Sequence, residues 1–168
     1  LDHPNKALSL TPIMSTPGAG LEDENLSPPT ESLMSGMMKS MEHNMKGEYL
    51  DGLVCIYREL IGSRYPFDEE KFREGAKEIM DHGHNPFPGH GAAVSSSPHR
   101  KDRLKEINLP TLVIHGTEDA ILPFDHGQAL ANGIPNAQMM VLEGVGHEIP
   151  QQMTEEITSR LIEHFNSI

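Results

Sequence analysis

Cysteine, aromatic residues and positive charge are all scarce in this sequence, and tryptophan is absent. The single cysteine, Cys55, cannot close a disulfide within the chain, which sets aside the small disulfide frameworks and fits a reducing, cytoplasmic compartment. Only 13 Lys and Arg face 25 Asp and Glu, for a formal charge of −12. Such a surface repels phosphate backbones and anionic lipid heads, so neither nucleic acid nor a membrane is expected as a partner. No apolar run approaches the ~18 residues that a membrane-spanning helix needs. The chain opens on Leu1 rather than Met, and LDHPNKALSL lacks the charged-then-apolar layout of a secretory signal, so further sequence is expected upstream.

What is present divides into three zones. Residues 1–24 hold one expected strand, ALSLTPIMS, with Pro12 set awkwardly inside it, followed by a turn-rich exit. Residues 25–107 have helical periodicity and no convincing strand. Leu33, Met34, Met37, Met38, Met41 and Met45 recur at three- and four-residue steps, with Ser27 as N-cap, Pro28 in the first turn and Gly47 as the stop. Second and third helices are expected over about 48–61 and 68–83, then a loop rich in Gly, Pro and Ser, then a short helix from Ser97 and Pro98 toward Ile107. Residues 108–168 alternate strand and helix: TLVI at 111–114, a helix over 124–133, a strand over 137–142, and a helix over 154–166 carrying Ile157, Leu161, Ile162 and Phe165. Strand, helix, strand, helix implies parallel pairing through right-handed crossovers, so the fold class is α/β. Three such strands make only part of a doubly wound sheet.

In open parallel sheets, functional groups collect in the loops leaving the carboxyl ends of strands. Two of those loops carry titratable residues. In HGTEDAILP, Asp119 follows Gly116 just past one strand; in EGVGHEIP, Gly144 and Gly146 form a mobile turn that delivers His147 after the next. An imidazole against a buried carboxylate has its tautomer fixed and its charged form stabilised, which makes it a proton acceptor for a nucleophile. Glu118 and Asp125 are alternative acids, with Asp125 reading more naturally as a helix cap. His82, His84 and His90 with Asp81 sit in or beside a loop too loosely specified to fix a coordination sphere, so no metal is expected. Ser95, Ser96 and Ser97 read as a polar loop. The methionine stripe of Met34, Met37, Met38 and Met41 packs on a neighbouring helix, lines an apolar substrate channel, or does both.

The stretch INLPTLVIHGTEDAILP, with HGQALANGIPNAQMMVLEGVGHEIP and the terminal amphipathic helix, resembles the C-terminal portion of α/β-hydrolase-fold proteins. The His126–Gly127 pair and the GVGH turn are similar to an esterase-like branch that includes aclacinomycin methylesterase. The resemblance implies that Asp119 is the catalytic acid, that His147 is the catalytic histidine, and that residues 25–107 form a cap over a small apolar ester-like substrate, with no cofactor. The departure is large: the family's G-x-S-x-G nucleophile elbow occurs nowhere in the chain. The nucleophile is then expected outside these residues, with the chain inactive alone. An Asp in that place would give an epoxide hydrolase or haloalkane dehalogenase. The non-catalytic alternative is a binding module that forms a homo-oligomer through its exposed sheet edge.

Overall fold

The computed structural model describes residues 1–18, 25–82, 96 and 98–168. Strand β1 (Leu112–Gly116) pairs in parallel with β2 (Gln138–Leu142), from Leu112 opposite Gln138 to Gly116 opposite Leu142. On its other side β1 is flanked by residues 10–14, through parallel bridges from Leu10 to Thr111 and from Ile13 to Ile114. Backbone bonds run from Leu10 N–H to Pro110 O and from Met14 N–H to Ile114 O, while Leu112 and Ile114 donate to Leu10 O and Pro12 O. Pro12 has no N–H to give in the middle of this pairing, so the expected strand is reduced to two bridges.

The apolar run of β1 therefore has a neighbour on each side. Its side chains alternate between two cores, as strand geometry requires. Leu112 and Ile114 pack with Leu142, Val145, Met153 and Ile157, whereas Val113 packs with Leu104, Leu130 and Ile134. Leu112, Val113 and Ile114 are fully buried, and each such side chain stabilises the fold by about 1.5–3 kcal/mol.

Among the described residues, three α-helices precede β1: α1 (Glu31–Met45), α2 (Tyr49–Leu60) and α3 (Glu69–Asp81). After it come α4 (Phe124–Gly133) and α5 (Thr154–Asn166). The N-cap of α1 is Thr30 rather than Ser27. Thr30 Oγ1 accepts from Leu33 N–H at 3.3 Å, and the pair Pro28–Pro29 keeps the residues before it extended. Gly47 does end α1, at φ +80°. In place of the helix expected from Ser97, a short 3-10 helix spans Lys101–Glu106.

Two expected apolar faces are arranged differently. Helix α1 meets α2 through Leu33, Gly36 and Ser40, not through its methionines. A Cβ on Gly36 would lie 2.9 Å from Cys55 O, and one on Gly52 would lie 3.0 Å from Ser40 O, so the axes approach on small residues. Met34, Met37, Met38 and Met41 are turned outward, between 47% and 65% exposed. In α5 the inward stripe is Ile157, Leu161 and His164, while Ile162 and Phe165 are exposed. Among the described residues no helix is long and apolar enough to cross a membrane.

Candidate active site

Asp119 arrives three residues after Gly116, where β1 ends. Its side chain folds back on its own loop: Oδ1 accepts from the N–H groups of Ile121 and Leu122, each at 2.9 Å, the self-capping behaviour of Asp in turns. Oδ2 accepts from His147 Nδ1 at 2.8 Å and lies 3.4 Å from His115 Nε2. Asp119 is 2% exposed. Burial pushes its carboxyl pKa up, but the donors on His115, His147 and Leu122 together outweigh that and hold it well below the usual carboxylate range. The group is therefore ionised, and an ionised carboxylate can only accept. His147 accordingly carries its proton on Nδ1, which leaves the Nε2 lone pair free to take one.

His147 follows β2 through the turn Glu143–Gly146. Its side chain is 27% exposed, and Nε2 bonds to none of the described residues. The residue lines a cavity of about 970 Å3 whose other walls include Ile13, Met14, Leu104, Ile107 and Leu122. A half-open imidazole braced by a dry carboxylate, on the wall of an apolar cavity, can accept a proton from one group and deliver it to another.

The turn is not the mobile element its glycines suggest. Arg64 N–H donates to Gly144 O at 2.8 Å, Gly146 N–H to Ile61 O at 2.9 Å, Glu148 N–H to Leu60 O at 3.1 Å, and Glu118 N–H to Val145 O at 2.9 Å. Gly144 N–H is held by Thr117 Oγ1. The glycines serve close approach: a Cβ on Gly116 would lie 2.2 Å from Val145 O, and one on Gly146 would lie 2.1 Å from Leu60 O.

The alternative acids are committed elsewhere. Glu118 accepts from Ser63 N–H and Ser63 Oγ. Asp125 does not cap α4; it accepts from Ser27 N–H at 2.7 Å. His126 Nε2–H donates to the carbonyl of the same residue, and its Nδ1 lies 2.9 Å from Thr16 Oγ1, so the start of α4 clips the entry to α1. None of Met34, Met37, Met38 and Met41 is on the wall of the cavity beside His147. His84, His90, Ser95 and Ser97 lie outside the described residues; His82 Nδ1 is 2.7 Å from Glu78 O at the end of α3. Among the described residues, His43, Glu48 and Asp51 bring three ligand-type atoms within 4.8 Å of one another. Ion pairs account for them, since Glu48 bonds His43 and Arg73 bonds Asp51, each at 2.8 Å.

The sequence reading overlooked His115. It is fully buried; Nε2 donates to Leu122 O at 2.8 Å, and the missing Cβ of Gly127 leaves room for its ring. The signal was present: an imidazole inside a strand buried on both faces needs a polar partner, and Asp119 is the polar residue four positions on.

Comparison with known proteins finds similarity to hydrolases. A family model described as TAP-like protein matches residues 83–165. Rhodomycin D methylesterase DnrP from Streptomyces peucetius is 30% identical over 122 residues, covering 70% of this chain and 40% of that protein. The chain thus spans about 40% of the length of such curated relatives. Among solved structures, MGS-M2, an α/β-hydrolase enzyme from a Medee basin deep-sea metagenome library, superposes with a TM-score of 0.67 at 16% identity, over 98% of this chain and 58% of that one. A thermophilic esterase gives 0.63 at 19% identity, over 99% and 59%. The chain belongs to the α/β-hydrolase superfamily.

Proposed function

We propose that the chain supplies the acid and base of a carboxylic-ester hydrolase, and that the nucleophile, a serine hydroxyl, comes from outside these 168 residues. The observation that carries this reading is the 2.8 Å bond from His147 Nδ1 to the buried oxygen of Asp119. In the proposed reaction His147 Nε2 takes the hydroxyl proton as the serine oxygen attacks the ester carbonyl. His147 then passes that proton to the departing alkoxide, leaving an acyl-enzyme, and repeats the cycle with water to release the acid. Asp119 keeps the imidazole in one tautomer and stabilises the imidazolium between the two transfers.

The methylesterase relatives suggest a small alcohol as leaving group, and the apolar walls beside His147 suggest an apolar acyl portion. The test joins the chain to a nucleophile-bearing N-terminal segment of a related hydrolase and follows p-nitrophenyl and methyl ester hydrolysis. The fusion is expected to turn over, and His147→Ala or Asp119→Asn to lower kcat/KM by at least about 10^3-fold. Turnover indifferent to His147 would refute the assignment of the base. Efficient His147-dependent turnover by the unfused chain would refute the external nucleophile.

A further inference from the structure

The last turn of α2 lies against the histidine turn, backbone to backbone. We infer that this turn is a positioning element for His147, and that Gly62 is the positioning residue that lets the two segments meet. The inference rests on the reading of His147 as the base.

A helix C-terminus leaves its final carbonyls without partners inside the helix. In α2 those partners come from the histidine turn, since Leu60 O and Ile61 O accept from Glu148 N–H and Gly146 N–H. The two bonds bracket His147, one on each side. Arg64 N–H returns a third bond to Gly144 O. Contact this close requires glycine in both segments. A Cβ on Gly62 would lie 2.5 Å from Gly144 O and 2.6 Å from Gly146 N, and one on Gly146 would meet Leu60 O. These neighbours are all backbone, so no flexible side chain can give way. The position of the base thus depends on α2 as well as on Thr117 and Glu118, and α2 also carries α1 across the Gly36–Cys55 and Ser40–Gly52 contacts.

The chain contains its own control. Gly47 and Gly62 both follow a helix at φ +80°, but a Cβ on Gly47 would meet nothing within 4 Å. Alanine imposes the same left-handed strain at both sites, and at Gly62 alone it also pushes on the histidine turn. In the 168-residue chain, Gly62→Ala is expected to speed amide exchange at Gly146 and Glu148 by about tenfold or more, and to broaden or shift the low-field His147 Nδ1–H resonance. Gly47→Ala is expected to leave both as in the wild type. An unchanged Gly62→Ala protein, or an equal response to Gly47→Ala, would overturn the inference. If Gly62→Ala does not fold, the wild type decides. The amides of Gly146 and Glu148 should open together with the last turn of α2 as denaturant is raised, and opening in step with Val141 and Leu142 of β2 would overturn the inference. None of these readouts involves an ester, so failure of the hydrolase assignment and failure of the positioning role remain separate results.

Discussion

Asp119 and His147 bond to each other, yet only the histidine turn also depends on a distant part of the chain. The carboxylate is fixed locally: its other donors are His115, Ile121 and Leu122, all within four residues, and it is 2% exposed. The turn that carries the imidazole is held from two sides, by Thr117 and Glu118 of the acid's own loop and by Leu60, Ile61 and Arg64 at and just after the end of α2, 80 or more positions earlier, and the ring stays partly open to the cavity. The difference suits the roles proposed for the two groups. A carboxylate that only orients and stabilises gains from being dry and static. A base has to reach a second group and exchange protons with it, so it must remain accessible, and its position can depend on the surrounding assembly.

The largest expected effect comes from forcing the two supports apart. Gly146→Ala would drive a methyl into Leu60 O, and Gly116→Ala would drive one into Val145 O. Each is expected to cost about 3 kcal/mol or more in urea unfolding, at the upper end of overpacking penalties because backbone has to move. Either variant unfolding like the wild type would show that the turn is looser than described.

Truncating Asp119 should cost more stability than truncating His147. Asp119→Ala strands the Ile121 and Leu122 N–H groups, so a loss of about 2–3 kcal/mol is expected. His147→Ala removes a partly exposed ring with one hydrogen bond, and water entering from the cavity replaces that bond at Asp119 Oδ2, so a loss of about 1 kcal/mol is expected. Equal losses would contradict the division between a structural acid and an accessible base.

Protonation breaks the acid side more gently. The folded-state pKa of Asp119 lies below its ordinary value of 3.8, so the unfolded chain takes up the proton first. The stability it contributes is complete above that value and is lost as pH falls through the depressed folded pKa. A urea midpoint that declines in acid for the wild type, and declines less for Asp119→Asn, is the expected outcome. At the small end, Met38→Gln and Met41→Gln should change stability by no more than about 0.5 kcal/mol, because both side chains face solvent. A large loss would mean that these residues are covered.

What could be read from the sequence follows the same split. Strand β1, its loop and Asp119 were legible because their determinants are local: an apolar run bounded by Pro110 and Gly116, then an acid. His147 was legible as a residue after a strand, but its anchoring was not. Gly144 and Gly146 look like a flexible turn until the chain from 60 to 64 is seen lying on them, and no short-range pattern encodes that contact. The stripe of methionines misled for a related reason. Helical spacing reports which residues share a face, not which face is covered, and here Gly36 and Ser40 permit the closer approach to α2. Asp125 was assigned to its own helix because capping is a local motif, whereas its partner is Ser27.

The central claim is that Asp119 fixes His147 with the proton on Nδ1, leaving Nε2 as the base. Long-range 1H–15N spectra of the histidine-labelled chain, recorded for the wild type and for Asp119→Asn, address it directly. The expected result is the Nδ1–H tautomer with a low-field proton in the wild type, and loss of that preference in the variant. An Nε2–H tautomer in the wild type, or the same spectrum for both proteins, would contradict it.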